Sequence, residues 1–349
     1  MKDSADRPDP RRRAVLRSLA AVPVAGAAGL ILPAAARAAQ APQFTLKYGN
    51  NLPTSHPLNI RTQQAAKRVE QESNGRVVIN IFPNNQLGGD TDMLAQVRSG
   101  GIDMFTPGTM VIAPIAPVSA ITAVGFAFQS YDQVWAAVDG KLGDHIRATF
   151  ANAGLHTFEK MWDNGFRQIT TSTKPVQSAA DLVNMKIRVP VSAMGISLFK
   201  SLSAAPTSLQ FSEVYSALQT KVVDAQENPL AIVQTAKLYE VQKYCSLTNH
   251  SWDGYHFVVN GRSWDALPAD LKTIVSRAFN EAGMQQRADV RKLNDGLQAQ
   301  LAKDGLAFNP APAESFRDAL RKAGFYAQWK GKFGDDAWAL LETYAGKVA

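Results

Sequence analysis

Alternating strand and helix patterns run from Asn164 to Pro229 around three polar motifs: Gly165-Phe166-Arg167-Gln168, Lys186-Ile187-Arg188-Val189-Pro190 and Gln226-Glu227-Asn228-Pro229. The first two motifs place an arginine on or beside a predicted strand. A guanidinium fixed in this way can hold a carboxylate through two parallel charge-assisted hydrogen bonds. Because nothing nearby offers the groups that turnover would require, the stretch predicts capture of an acid and not its chemical conversion.

The alternation of strands and helices continues on both sides of this stretch. The chain has 349 residues, of which 46% are hydrophobic, and this suits two domains with a core each. Apolar patterns predict strands at 44–48, 77–82, 102–105, 155–161, 166–170, 186–189, 241–247 and 255–259. They predict helices at 57–72, 90–97, 131–150, 191–202, 212–220 and 229–238. No sequence period accompanies the pattern, so the fold class is α/β with two lobes and not a repeat array.

A helical pattern continues almost without interruption from Pro268 to Lys303. Such a helix is about 50 Å long, which exceeds the width of one domain of this size. We therefore expect one long helix to span both lobes, and Gly283 is where it could bend. Two further helical patterns, with Trp329 and Trp338, follow it, and we expect them to pack against a lobe.

Residues 1–38 differ in kind from the rest of the chain. A basic segment precedes an apolar, Ala-rich stretch from Leu19 to Leu32, and Ala36-Arg37-Ala38 follows, which is the order of a cleaved export signal. The segment Arg12-Arg13-Ala14-Val15-Leu16-Arg17 resembles the twin-arginine signal, with Val15 in place of the usual Phe and Arg11 in place of Ser or Thr, so Sec export stays an alternative. The apolar run is shorter than the roughly 20 residues that span a bilayer, which argues against a retained anchor.

Removal of this leader would lower the charge of the chain. It carries seven Lys or Arg and three acidic residues, so the net charge falls from +7 to +3. The rest of the chain has no basic patch interleaved with aromatic residues, and we expect no nucleic-acid partner. The small positive surplus favours anionic ligands. Cys245, the single cysteine, lies in a predicted strand and is expected to be a buried, unreactive thiol.

Further motifs accompany those of the opening stretch in order along the chain: Phe211-Ser212-Glu213-Val214-Tyr215, Val223-Asp224-Ala225 before Gln226, and Tyr239-Glu240-Val241-Gln242-Lys243. Through all of them the chain resembles the DctP-type substrate-binding proteins of tripartite ATP-independent periplasmic (TRAP) transporters, over essentially its whole length after the leader. The resemblance implies a periplasmic receptor of two lobes joined by a hinge. Such a receptor closes on an organic acid and delivers it to small and large membrane subunits driven by an ion gradient.

The resemblance also implies how the chain is divided. We expect lobe I to comprise residues 39–164 and 254–293, and lobe II residues 165–253 and 294–349. We expect a monomer with no cofactor and no metal.

Four residues of the second lobe are assigned to the ligand by their motifs. Arg188 is expected to fix the carboxylate, Arg167 to add a second positive contact, Asn228 to add a polar contact and Phe211 to line the pocket. Each arginine has a structural alternative: Arg188 could form an ion pair with Asp224 or Glu227, and Arg167 could be a solvated surface residue. Asn228 before Pro229 could cap a helix.

Four more candidates lie elsewhere in the chain. Asn51 and Asp90 match contact positions of the family, and His56 follows the first strand where pocket loops form. His56 and Asp90 could instead cap the helices that they precede. Trp252 is one of several aromatic residues that could form a wall of the pocket, together with Phe126, Phe128 and Trp162.

Gly108 is where some sugar-acid receptors of the family carry an acidic residue. We expect its hydrogen side chain to remove a hydroxyl acceptor and to leave room beside Met110. A 2-oxo or 2-hydroxy acid with an apolar or aromatic group is therefore preferred over a C4 dicarboxylate or a sugar acid.

Catalytic patterns are scarce in this sequence. The five histidines show no metal-ligand spacing, and no G-x-S-x-G, P-loop or dinucleotide-binding motif follows a predicted strand. An exported enzyme that acts on organic acids through Asp90, His56 and the arginines is the alternative from another class.

Overall fold

The computed structural model describes residues 41–348, so the predicted leader at 1–38 lies outside the described residues. Thirteen strands are described: β1 (Phe44–Gly49), β2 (Val77–Phe82), β3 (Met104–Phe105), β4 (Leu155–Thr157), β5 (Trp162–Phe166), β6 (Gln168–Thr171), β7 (Lys186–Val189), β8 (Ala205–Ser208), β9 (Ala225–Asn228), β10 (Tyr244–Leu247), β11 (Trp252–Tyr255), β12 (Val258–Asn260) and β13 (Ala307–Pro310). The helices described are α1 (Pro57–Glu72), α2 (Asp90–Ser99), α3 (Thr109–Ile112), α4 (Tyr131–Val138), α5 (Lys141–Asn152), α6 (Ala193–Ser201), α7 (Val214–Gln219), α8 (Leu230–Thr235), α9 (Gly261–Asp265), α10 (Ala269–Lys303), α11 (Ala313–Lys322), α12 (Phe325–Phe333) and α13 (Asp335–Ala345).

Two mixed sheets form the centres of the two lobes, as the α/β pattern predicts. The first sheet has the order β2-β1-β3-β12-β4, with β1 parallel to β2 and β3 and with β12 antiparallel to its neighbours. The second has the order β13-β10-β6-β9-β7-β8. In it β7 runs parallel to β8 and β9, while β6 is antiparallel to β9 and β10.

A two-stranded ribbon of β5 and β11 connects the two sheets. β5 leads from β4 of the first sheet directly into β6 of the second, and β11 leads from β10 back into β12. Two of the three chain crossings between the sheets therefore run side by side, and the third, from β12 to β13, passes through α10. The boundaries that the sequence predicts for the lobes, at 164/165 and 253/254, fall within this ribbon.

The long helix predicted over 268–303 is present as α10 and packs against both lobes. It contacts α1 and the ribbon strand β5 on one side, and α8 and β13 of the second lobe on the other. Gly283 lies within this uninterrupted helix and serves a close approach. A Cβ there would lie 2.7 Å from the indole Nε1 of Trp162.

The C-terminal helices pack against elements of both lobes. α13 contacts α4 and α5, and its Trp338 and Leu341 are buried. α11 and α12 contact α6 of the second lobe. No helix in residues 41–348 is both long and apolar enough to cross a membrane.

Several predicted elements differ from those observed, for local reasons. The helix predicted over 131–150 is two helices, α4 and α5, because the backbone of Gly140 is extended and begins α5. The strand predicted over 155–161 ends at Thr157, and the one over 166–170 is divided between β5 and β6. Cys245 is buried in β10 as predicted, and burial raises the pKa of its thiol to about 12.

Candidate functional site

A small cavity of about 30 Å³ lies where the two sheets and the ribbon meet. Six of the eight residues proposed from the sequence line it: Asn51, Asp90, Arg167, Arg188, Phe211 and Asn228. Its other lining residues are Leu52, Gly108, Val111, Asn164, Pro190, Ile232, Asp253 and Tyr255. The volume is that of roughly one water molecule, so a larger ligand requires the walls to move apart.

A larger open groove of about 800 Å³ lies between α1, α8 and α10. Its charged groups are on its exposed rim, and its Asp289 is already paired with Arg61 at 2.5 Å. The small cavity is the better candidate, because buried charged and polar groups from three parts of the fold converge there.

Arg167, between β5 and β6, is at the centre of a buried ion-pair network. Its Nε and Nη2 donate to both carboxylate oxygens of Glu227, and its Nη1 donates to Oδ2 of Asp253 at 3.1 Å. Nη2 also donates to Oδ1 of Asn228 at 3.1 Å. With 2% of its surface exposed, Arg167 is not the solvated surface residue of the alternative interpretation.

Glu227 completes this network. It pairs with Arg167 because β6 and β9 are neighbours and place Ile169 opposite Glu227. Burial alone would raise the pKa of Glu227, but the Arg167 charge and a hydrogen bond with His250 lower it to about 2. The carboxylate therefore stays ionised, and most of the hydrogen-bonding capacity of Arg167 is used within the protein.

Arg188, on β7, is equally buried but has no acidic partner. Its Nε and Nη2 both donate to the backbone oxygen of Leu209, at 3.0 and 2.7 Å. In residues 41–348 no carboxylate lies within ion-pair distance of Arg188, and its Nη1 has no hydrogen-bond partner. The structural pair with Asp224 or Glu227 is not formed.

The energetics of Arg188 follow from this isolation. Burial lowers the pKa of Arg188 to about 10, and the charge of Arg167 acts in the same direction. One edge of the guanidinium, with Nη1 and the second hydrogen of Nη2, remains available to a ligand. A buried cation that has no ionic partner within the protein is stabilised when a ligand anion binds to it.

Asn228 ends β9 and does not cap the following helix, since Pro229 occupies the cap position. Its Nδ2 donates to Oε1 of Gln226 at 2.6 Å, and its Oδ1 accepts from Arg167. Phe211 is only partly buried, and its ring centroid lies 5.9 Å from the guanidinium carbon of Arg188. Phe211 therefore covers the site from one side.

Asp90 and Asn51 form the polar part of the first-lobe wall. Nδ2 of Asn51 donates to both oxygens of Asp90, at 2.8 and 3.1 Å. The cap of α2 is Gly89, whose amide donates to Asp92, so the capping alternative for Asp90 is wrong. Burial raises the pKa of Asp90, while the Asn51 hydrogen bond and the Arg188 charge oppose the rise.

Gly108 does not leave space for a ligand, contrary to the expectation from sequence. A Cβ at this position would lie 2.9 Å from Oδ2 of Asp253, so the carboxylate of Asp253 occupies that space. Asp253 is held there by Thr109, whose amide and hydroxyl donate to Oδ1 at 3.0 and 2.7 Å. An acidic acceptor is thus present in the cavity, supplied by β11. Met110 is buried but does not line this cavity.

Two amide oxygens at the cavity are buried without a hydrogen-bond partner among the described residues: Oδ1 of Asn51 and Oδ1 of Asn164. Their orientation is fixed, because each Nδ2 donates to a carboxylate, that of Asp90 or of Asp253. A buried acceptor left unsatisfied is costly, and a hydroxyl of a ligand would satisfy it.

Three cavity residues with polar side-chain groups were not proposed from the sequence: Asn164, Asp253 and Tyr255. Asn164 directly precedes the first polar motif, which was a usable signal. Asp253 and Tyr255 carried none, since they reach the cavity only because β11 pairs with β5.

His56 and Trp252 do not line the cavity, nor do Phe126, Phe128 and Trp162. His56 is buried and caps α1, with its Nδ1 accepting from the amide of Leu58 at 3.2 Å. Trp252 packs against Trp135 and donates to Oδ1 of Asp163 at 3.0 Å. The arrangement of Asp90, His56 and arginines that an enzyme would need is therefore not assembled. No group of three potential metal ligands is found in the described range 41–348.

Comparison with known proteins gives a consistent result. A family model described as bacterial extracellular solute-binding protein, family 7 (DctP) matches residues 48–328. The 2,3-diketo-L-gulonate-binding periplasmic protein YiaO of Escherichia coli is 32% identical over 287 residues, which are 80% of this chain and 87% of that protein.

Solved structures resemble the whole described fold. A TRAP periplasmic solute-binding protein from Ralstonia eutropha with bound (S)-2-acetolactate has a TM-score of 0.80 at 30% identity, covering 87% of this chain and 98% of that one. The sugar acid binding protein DctPAm from Advenella mimigardefordensis in complex with galactonate has a TM-score of 0.83 at 28% identity, covering 88% and 99%. The chain therefore belongs to bacterial extracellular solute-binding protein family 7, the DctP-type receptors of TRAP transporters, and has their two-lobe fold.

Proposed function

We propose that this protein is a periplasmic receptor that captures a small organic acid by its carboxylate and delivers it to TRAP membrane subunits. The observation that carries the proposal is Arg188, a buried guanidinium with a free edge and no acidic partner in the described chain. The ligand carboxylate takes that edge with two charge-assisted hydrogen bonds. Arg167, already paired, supports the site through its charge and through one remaining hydrogen on Nη1.

Closure of the two lobes is the second part of the proposal. The lobes are those expected from the sequence, 39–164 with 254–293 as lobe I and 165–253 with 294–349 as lobe II, except that α13, which packs against α4 and α5, moves with lobe I. The ribbon of β5 and β11, which carries two of the three crossings, is the hinge, together with α10, which carries the third. A ligand that contacts Asp90 from lobe I and Arg188 from lobe II binds the closed form best and so shifts the equilibrium toward it.

For the ligand we propose a compact 2-hydroxy or 2-oxo monocarboxylate with an apolar group. The unsatisfied amide oxygens of Asn51 and Asn164 favour a ligand hydroxyl near the carboxylate. The apolar part of the ligand would lie against Leu52, Val111 and Ile232. The Ralstonia eutropha relative has bound a ligand of this kind, (S)-2-acetolactate.

A C4 dicarboxylate is less suited to this site. Beyond Arg188 the cavity presents Asp90 and Asp253, and a second ligand carboxylate would face these like charges. A sugar acid would satisfy the amide oxygens but would bring hydroxyls against the apolar wall.

The test is a thermal-shift screen across organic acids followed by calorimetry, since a ligand that binds only the folded state raises its melting temperature. We expect small 2-hydroxy and 2-oxo acids to give the largest shifts. Arg188→Ala should weaken binding at least about a hundredfold, because two hydrogen bonds to a charged group contribute roughly 1.5–3 kcal/mol each. Arg188→Lys should recover little, as lysine lacks the planar fork.

Arg98→Ala is the matched control. It removes one positive charge from an exposed position on α2 outside the cavity and should leave the affinity unchanged. If the folded Arg188→Ala variant binds with nearly the affinity of the parent protein, Arg188 does not hold the ligand. If no organic acid binds, or if a bound acid is released chemically changed, the receptor function is wrong.

A further inference from the structure

Asp90 is a buried carboxylate with very little stabilisation of its charge. Only 4% of its surface is exposed, although it is the first residue of a helix. Its two oxygens accept from a single group, Nδ2 of Asn51, and no Lys, Arg or His of the described chain lies within ion-pair distance. The other two carboxylates of the site accept more hydrogen bonds from charged or polar groups. Asp253 accepts from Thr109, Asn164 and Arg167, and Glu227 accepts from Arg167.

The charged and titratable groups that face Asp90 come from several elements. Arg188 faces it from β7 and Tyr255 from β11, and Arg167 and Asp253 line the same cavity. The charges of Glu213 and Glu227 act on Arg188 and raise its pKa. On the helix of Asp90 itself, Asp92 is exposed and bound to the Gly89 amide.

The charge balance of the site changes when an acid binds. Without a ligand, the positive charges of Arg167 and Arg188 balance those of Glu227 and Asp253, and an ionised Asp90 leaves one negative charge in excess. A ligand carboxylate would make the excess two in a cavity with little room for water. Buried like charges of this kind cannot all stay ionised, and the group with the fewest donors is the first to take up a proton.

We infer that Asp90 takes up one proton from solvent when an acid anion binds beside Arg188, so that the receptor captures anion and proton together. This inference rests on the proposed function. Protonated Asp90 then becomes a hydrogen-bond donor toward the cavity, so it selects a ligand that presents an oxygen acceptor to it in addition to its carboxylate. A 2-oxo or hydroxyl oxygen meets that requirement, and an alkyl chain does not.

The electrostatics of the ligand-free site act in the same direction. Burial already raises the pKa of Asp90, and the positive charge of Arg188 is one of the factors that restrain the rise. A ligand carboxylate on Arg188 neutralises that charge and removes the restraint. Affinity should therefore increase as the pH falls, by up to about tenfold per pH unit between the pKa values of Asp90 in the bound and the free protein.

The experiment is titration calorimetry of the mature protein with (S)-2-acetolactate, D-erythronate and succinate, each in phosphate and in Tris. These buffers differ in ionisation enthalpy, so the difference in observed heat gives the number of protons taken up per ligand. We expect uptake of up to one proton by the parent protein. Asp90→Asn, which keeps the shape of the side chain, should bind without proton uptake and with affinity that no longer rises toward low pH.

Asp92→Asn is the matched control, because it removes a carboxylate from the same helix outside the cavity and can still accept from Gly89. It should leave the proton uptake unchanged. Binding by the parent protein with no proton uptake would overturn the inference while the receptor function stands. Undiminished uptake by Asp90→Asn would also overturn it. Absence of binding of all three acids at every pH would overturn the proposed ligand class, and the inference with it.

Discussion

The two arginines of the cavity are equally buried, but their contributions to stability should differ. Arg167 neutralises Glu227 and Asp253, so Arg167→Met would leave two carboxylates buried without their cation. Breaking a buried pair from one side destabilises a protein by about 3–5 kcal/mol. Arg188→Met breaks no ion pair: it removes the donors of the Leu209 carbonyl, which costs about 1–3 kcal/mol, but it also removes an unpaired buried cation, so we expect a smaller loss of unfolding free energy than for Arg167→Met. Urea unfolding of both variants measures the difference.

These variants serve as controls for each other, since both remove one buried guanidinium and keep an unbranched apolar side chain. Equal losses would contradict the assignment of Glu227 to Arg167. The sequence presented both arginines in similar motifs and could not distinguish them. Which one pairs depends on strand neighbours in the second sheet, where β9 places Glu227 beside Arg167. In the same way, the cavity residues from β11 depend on a pairing between strands about 90 residues apart in the chain.

The long helix α10 offers a test of how packing overrides helix propensity. Alanine is favoured over glycine in a helix interior by about 1 kcal/mol, so propensity alone predicts that Gly283→Ala stabilises the protein. The structure predicts the opposite sign. The new Cβ would lie 2.7 Å from Trp162, and relief of such overpacking typically costs about 1–3 kcal/mol. We expect a net loss of unfolding free energy, measurable by thermal or urea unfolding.

Gly296→Ala in the same helix is the matched control. Nothing lies within 4 Å of a Cβ built there, so only the propensity term applies, and we expect a gain of about 0.5–1 kcal/mol. A gain of similar size at both positions would show that Trp162 can move away from α10 at no cost.

Elements with a strong local pattern were predictable, and those defined by distant contacts were not. The strands β1 and β2 and the helix α10 agree with their predicted ranges to within about a residue, because each has an uninterrupted apolar period. The ribbon of β5 and β11 was not predicted, since only Phe166 and Tyr255 at its ends lie in predicted strands and its other residues fall between them. Gly108 shows the same limit. Its role is to make room for Asp253, and this is visible only after the chain has folded.

Over the whole molecule, buried ionisable groups should make stability depend on pH well above the range where carboxylates usually titrate. Burial lowers the pKa of His56 and of His256 to about 3, from 6.5 in the unfolded chain. As the pH falls below 6.5, the unfolded state takes up these protons and the folded state does not, so stability is lost down to about pH 3. Burial raises the pKa of Asp163 to about 7, which acts in the opposite direction.

His56→Asn isolates one of these contributions. Asparagine is a good N-cap and can accept from the Leu58 amide in place of the imidazole, so α1 should keep its start. One buried group that stays neutral changes the unfolding free energy by about 1.4 kcal/mol per pH unit. We therefore expect the variant to lose stability less steeply than the parent protein between about pH 6.5 and 4. Urea unfolding at several pH values gives both slopes; parallel curves would mean that His56 is protonated in the folded protein or accessible to water.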